Sequence, residues 1–343
     1  MRTWLVVLLL LGVGTAGTLR FWPRASEGAQ AGSGPVALVD EAPVAVVDDE
    51  PAGVVPDGVA NASTVSVPDA TTAPTAVTAE EQDRPGGATS APEGEAAKKA
   101  IALLDQASKS ANPVEQARLL SDAIRGGALD KKADEKAYAD LQEANKRGLF
   151  NPRVTDLCYT VEVKKGDSLW EICKQARKDG HSGVTPGLVR LVNGMVRDSI
   201  YPGAKLKIPN VPVTVLVEKR SFRLSVFVGD VMIKRYLVGL GKDNKTPEGE
   251  FKIKTKLIDP PWYKQGEKAP LPSEHPENIL GTRWLGFAEK EGFPDAATFG
   301  IHGTKEDQSI GTESSNGCVR MHNPEVEELY EWVGEGVIVT IRA

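Results

Sequence analysis

No aromatic residue occurs between Trp22 and Tyr138. Over that gap the chain lacks the large flat side chains that dominate core energetics. From about Ala25 to Pro92 it is mostly Ala, Val, Pro, Gly, Thr, Asp and Glu, in no period. Such a segment cannot bury enough apolar surface to offset the entropy of ordering it. Residues 25–93 are therefore expected to be a disordered tether. The length of 343 residues suggests about two folded units, and these must be built from the chain beyond residue 93.

Ahead of the tether, Arg2 precedes an uncharged, mostly apolar run from Trp4 to Leu19. Its sixteen residues fall between a signal-peptide core and a full membrane span of roughly 20. Residues 1–24 read as an export signal, either cleaved or kept as a membrane anchor. The nearest small-residue cleavage pattern, Ala29-Gln30-Ala31, lies beyond Arg20 and Arg24, which favours the anchor. A buried core helix is the bland alternative. An export signal places the rest of the chain outside the cytoplasm, in the cell envelope, with the membrane as one partner. The net charge of −6 argues against nucleic acid as another.

Residues 94–150 change character. Ala100, Leu103, Leu104 and Ala107 recur at helical spacing. Asn112-Pro113 reads as an N-cap followed by proline at the first helical position. Leu119, Leu120, Ala123 and Ile124 make a second stripe, stopped by Gly126-Gly127. A third helix fits Ala133 to Lys146, stopped by Gly148. The expectation is a small helical hairpin or bundle, serving as spacer or packing collar in preference to a partner-binding unit.

Residues 158–210 read as strand, helix, helix, strand. Tyr159, Val161 and Val163 alternate; Leu169, Ile172, Cys173 and Ala176 mark one helix; Leu188, Leu191 and Val192 mark another; Leu206-Lys207-Ile208-Pro209 closes the unit. The pieces YTV, KKGDSLWEI, the Asn193 region and YPGAKLKIP resemble a LysM module over its whole length. That resemblance implies a small α+β (βααβ) fold that binds N-acetylglucosamine-containing glycan, here peptidoglycan. Asp167, Ser168 and Pro202-Gly203 fall in the matching loops as weak candidate contacts, with cap and turn duties an equal reading.

Residues 213–343 are mostly β. Phe222, Leu224 and Val226 alternate with Arg223 and Ser225 as a half-buried strand; Lys234–Val238, Glu250–Ile253 and Val337–Ile341 are further strands; Glu325–Val333 is a helix. Short strands between Gly, Pro and Asp turns indicate a sandwich or barrel. Within this region runs IHGTKEDQSIGTESSNGCVRMHN. Cysteine is an effective nucleophile only as thiolate, which needs a base or positive charge nearby. His302 lies sixteen positions upstream of Cys318, and Arg320 two positions downstream. Gly317 removes a side chain just before the cysteine, and amides around Asn316, Gly317 and Cys318 could face an oxyanion. The chemistry this suits is acyl transfer through a thioester. Zinc held by His302, Cys318 and His322 is a rival use, in a spacing that matches no zinc motif. A buried structural cysteine is the bland one.

IHGT, SSNGCVRMHN and the upstream KTPEGEF resemble a YkuD-type L,D-transpeptidase catalytic domain. The resemblance covers Val213 to Arg342. It implies a mainly β sandwich or barrel, Cys318 as nucleophile and His302 as general base, with no cofactor or metal. Gly303 matches the residue whose carbonyl orients the imidazole, and Ser315, Gly317 and Arg320 fall on motif positions. Arg320 either organises the site, holds a substrate carboxylate or forms a structural salt bridge. Many members carry His where Asn316 stands, so a second imidazole is in doubt. The implied reaction cleaves the terminal D-alanine from a tetrapeptide stem and passes the acyl group to an amine, giving 3→3 cross-links or attaching a protein. With water as acceptor it is a carboxypeptidase. Inactivation by carbapenems acylating Cys318 is also implied. A papain-like wall endopeptidase has its cysteine before its histidine, the reverse of this order. A non-catalytic wall-binding protein is the remaining alternative. Cys158 and Cys173 are left either to bridge or to stay as two thiols.

Overall fold

A computed structural model describes residues 46–47, 90–264 and 268–343. The expected export signal and nearly all of the expected tether lie outside them. Among the described residues no helix is long and apolar enough to cross a membrane. Six residues of the expected tether are described: Val46–Val47 form a short strand (β1), and 90–93, expected to be disordered, instead begin a helix.

Three helices come first: α1 (Ser90–Lys109), α2 (Pro113–Arg125) and α3 (Lys131–Arg147). α1 starts upstream of its expected onset. Pro92 falls in its first turn, where no amide has an intrahelical partner to lose. Asn112 caps α2 as expected, its side-chain oxygen accepting from the amides of Val114 and Glu115. Small residues let the helices approach closely: Ala107, Ala117, Ala137 and Ala144 are buried with Leu120 and Leu141.

The second unit has β2 (Cys158–Glu162) antiparallel to β3 (Lys205–Pro209), with α4 (Leu169–Lys178) and α5 (Pro186–Val192) between them. It owns a core of Val163, Leu169, Ile172, Cys173, Ala176, Val184, Val189, Leu206 and Ile208. Asn193 staples α5 to β3: its amide donates to the Val189 and Lys207 carbonyls and its oxygen accepts from the Lys207 amide. Cys158 and Cys173 are separate buried thiols, and they pack in different cores. The bridge between them is not formed. Asp167 and Ser168 do turn and cap work, accepting from the amides of Lys164 and Glu171. Gly203 sits in a turn at φ +85° and donates to Val163.

The third unit runs through β4 (Val213–Glu218), β5 (Arg223–Val228), β6 (Val231–Leu237), β7 (Leu240–Gly241), β8 (Gly249–Ile258), β9 (Tyr263–Lys264), β10 (Arg283–Phe287), β11 (Gly300–Thr304), β12 (Glu313–Ser315), β13 (Val319–His322), α6 (Asn323–Trp332) and β14 (Ile338–Arg342). Eight strands form one sheet in the order β13-β11-β10-β8-β14-β4-β5-β6. β11 with β13 and β14 with β4 are parallel; the other neighbours are antiparallel. The sheet nearly closes on itself. Beyond β6, Gly239 exchanges two backbone hydrogen bonds with Arg320 of β13, each 2.9 Å. β7 pairs with β12 next to this seam, and β9 pairs with β1.

β5 is buried on both faces, not one, because α2 and α3 cover its outer side. Ser225 and Phe227 are as buried as Leu224 and Val226. The helices also satisfy the free edge of β6. Met232 donates to the Ser121 hydroxyl and accepts from the Asn145 amide, each at 2.9 Å, and the Arg235 amide donates to Tyr138. An uncovered edge strand invites pairing with other chains, so the helical unit is a collar on the sheet. Asp134, 5% exposed, locks it by accepting from Arg223 and Arg235 at 3.0 and 2.8 Å.

The βααβ unit is fastened to α6. Thr185 caps α5 and donates its hydroxyl to the Glu331 carbonyl at 2.5 Å. A Cβ on Gly187 would lie 2.3 Å from that same oxygen, so only glycine permits the approach. Asp134→Ala leaves two arginines facing an apolar seam without a counter-charge. Allowing for the partial exposure of Arg223, it is expected to lower stability by about 3 kcal/mol in urea unfolding and to promote self-association. A loss below about 1 kcal/mol would contradict the locking role.

Candidate active site

Side chains alternate faces along a strand, and register partners on neighbouring strands share a face. His302 of β11 is the register partner of Trp284 on β10 and of Arg320 on β13. Cys318 precedes Arg320 by two residues, so it falls on the same face, diagonal to His302. The pairing of two strands thus brings together residues sixteen apart in sequence. Trp284 stacks on the His302 ring, with centroids 5.9 Å apart at 25°. The indole has room because Gly286 and Gly300 lie beneath it; a Cβ on Gly286 would meet its Nε1 at 2.4 Å.

The imidazole is oriented by its own strand. His302 Nδ1 lies 2.6 Å from the Gly303 carbonyl. A carbonyl only accepts, so Nδ1 carries the proton and Nε2 is the basic nitrogen of the neutral ring. His302 and Cys318 are 1% and 2% exposed. Burial pushes the imidazole pKa down to about 4; the backbone of Gly303, and less so of Leu280, works against this, while the Arg320 charge adds to it. Burial pushes the Cys318 thiol up to about 12, against smaller opposing effects from the Gly300 backbone and Arg320. Burial of both groups therefore works against the help towards a thiolate expected from His302 and Arg320. Desolvation outweighs one guanidinium, and that guanidinium is already paired: Arg320 donates to Glu306 at 2.8 Å. Its Nε is buried without a partner.

The turn before Cys318 is held by Ser315, whose hydroxyl donates to the Cys318 carbonyl at 2.7 Å and accepts from the Gly317 amide at 3.1 Å. Gly317 has φ +134°, which an L side chain rarely adopts, and a Cβ there would lie 2.3 Å from Phe299 Cε1. The space beside Gly317 is thus filled by Phe299 and not open to a substrate. Asn316 is half-buried in the same turn. His322 pairs with Asp307 at 2.9 Å.

Sequence reasoning passed over the cover of the site. Trp262, Leu280, Trp284 and Cys318 form one apolar cluster, flanked by Leu257, Leu271 and Ile279. Most come from the stretch between β8 and β10, which has no strand or helix period. Two tryptophans among the six of the whole chain, one directly after Pro260-Pro261, were its only signal.

Residues 212–341 match the model of the L,D-transpeptidase catalytic domain, and residues 161–209 that of the LysM domain. The Bacillus subtilis protein YqjB, provisionally named an L,D-transpeptidase, is 38% identical over 148 residues, covering 43% of this chain and 80% of that one. YkuD of the same species, named likewise, is 28% identical over 189 residues, covering 53% of this chain and 98% of that one. An L,D-transpeptidase structure from Mycobacterium smegmatis overlaps 41% of this chain and 64% of its own at 16% identity, with a TM-score of 0.30, a likeness too partial to weigh. On the strength of the YqjB match and of both domain matches, the chain belongs to the L,D-transpeptidase family and carries a LysM domain.

Proposed function

We propose that the chain is a peptidoglycan L,D-transpeptidase working by cysteine acyl transfer. The observation that carries this is the Gly303-oriented imidazole of His302 on β11, on one sheet face with Cys318 at the head of the paired strand. The LysM domain supports the same polymer as partner: it would hold glycan while the catalytic domain acts on stem peptides. An envelope location, with residues 1–24 as signal or anchor, goes with that reading.

In the proposed reaction the Cys318 proton passes to His302 Nε2 as sulfur attacks the carbonyl between the third stem residue and the terminal D-alanine. The oxyanion takes a hydrogen bond from the Cys318 amide; the Gly317 amide is already engaged with Ser315. The C–N bond breaks, His302 returns its proton to the departing amine, and a thioester remains. An acceptor amine then attacks, gives its proton to His302 and expels the thiolate, which is reprotonated. With water as acceptor the outcome is hydrolysis. Ser315, Asn316 and Gly317 shape the turn that aims Cys318, Gly303 orients the base, and Arg320 organises the seam beside it. A neutral thiol beside a neutral imidazole suits this path, since proton transfer and attack occur together once substrate excludes water.

Wild-type protein given a soluble disaccharide-tetrapeptide should release D-alanine and yield a cross-linked dimer or the tripeptide. Cys318→Ala should lower the release roughly 10³-fold or more while remaining folded. Equal release by both proteins would remove the proposal. Burial of His302 also has a stability signature. Its folded pKa of about 4 lies below the unfolded 6.5, so the unfolded chain binds the proton first as pH falls. The stabilisation is complete above pH 6.5 and is lost towards pH 4, on the order of 3 kcal/mol. Relative to His302→Asn, wild type should lose about that much stability over this window in urea titrations. A pH-independent difference would show that the ring is not held neutral by burial.

A further inference from the structure

Residues 259–264 and 268–282, between β8 and β10, are tied down far more firmly than a surface loop needs. Asn278, 1% exposed, donates to the carbonyls of Pro260, Leu271 and Pro272 at 3.0, 3.1 and 3.1 Å, and accepts from the Leu280 amide at 2.9 Å. Trp262 and Leu271 exchange two backbone hydrogen bonds of 2.8 Å. These bonds fix Trp262 where its side chain, 2% exposed, packs in one cluster with Cys318, Trp284 and Leu280. Its indole Nε1 is nevertheless buried with no hydrogen-bond partner. A buried tryptophan ordinarily finds an acceptor, because an orphaned donor forfeits its hydration for nothing. Here a loop of many bonds holds an unpaired donor in the wall beside the nucleophile.

We propose that Trp262 is a substrate-positioning residue whose indole N–H donates to a backbone carbonyl of the stem peptide when that peptide is seated at Cys318. The inference rests on the transpeptidase reading and names a contact within it. The acceptor is a neutral amide and not a carboxylate. Leu271, Ile279, Leu280 and Trp284 make the surroundings apolar, and one neutral donor does not offset the desolvation of an anion there.

The test uses full-length Cys318→Ala protein, which binds without reacting, and Cys318→Ala/Trp262→Phe, which keeps an aromatic wall without the N–H. Binding of a disaccharide-tetrapeptide is followed by calorimetry, thermal midpoints by scanning, and the Trp262 indole by its ¹⁵N–¹H resonance. Expected are a Kd about tenfold weaker in the double variant, a midpoint without peptide that is unchanged or higher, and a downfield shift of the indole proton on binding in Cys318→Ala. An unchanged Kd with peptide still bound, or an indole resonance that does not move, overturns the role of Trp262 alone. A fall in midpoint that accounts for the weaker binding marks Trp262 as structural and also overturns it. Absence of peptide binding in Cys318→Ala itself overturns this inference together with the reading beneath it.

Discussion

Everything at this site depends on the parallel pairing of β11 with β13. It sets His302 against Arg320 and leaves Cys318 on the same face, where separation in sequence would otherwise keep the side chains apart. The pairing is secured from three sides. Trp284 stacks on the histidine from β10, Ser315 ties the turn before Cys318, and Gly239 closes the sheet onto Arg320. Arg320, on the face with His302 and Cys318, is thus also where the sheet nearly closes on itself.

Burial then weighs on the charge state. Withdrawal from water disfavours both charged forms, lowering the His302 imidazole and raising the Cys318 thiol, and so favours thiol and neutral imidazole over an ion pair. The surrounding units are built to match. The helical collar seals the β6 edge and the LysM domain grips the end of α6, the helix that begins directly after β13. The LysM and L,D-transpeptidase domains are therefore joined through packed contacts, not by a loose linker.

Much of this was legible in the sequence, for local reasons. Helix caps at Asn112 and stops at Gly126 and Gly148 act within a few residues, as does the alternation of Tyr159, Val161 and Val163. His302 and Cys318 stood out because a histidine, a glycine-cysteine pair and an arginine are chemically conspicuous. What stayed hidden depends on distant partners. Ser121 and Asn145 look like ordinary helix residues until Met232, far along the chain, needs both its backbone groups satisfied. Phe222, expected to begin a strand, instead takes φ +51° in the turn before it. Trp262 and Asn278 lie in a stretch without period, so only the folded loop reveals their neighbours. The surroundings of Cys318 were hidden for a related reason: sequence shows the nearby cation but not the depth of burial nor Glu306 pairing with it.

The most direct test of burial as the controlling influence is the pH dependence of Cys318 alkylation by iodoacetamide in the folded protein without substrate, with Cys158→Ser/Cys173→Ser as background. A resting thiol predicts a slow rate that climbs steadily through pH 10 with no plateau near neutrality. A rapid reaction levelling off between pH 6 and 8 would mean a preformed thiolate–imidazolium pair, and would contradict the claim that burial holds His302 and Cys318 neutral.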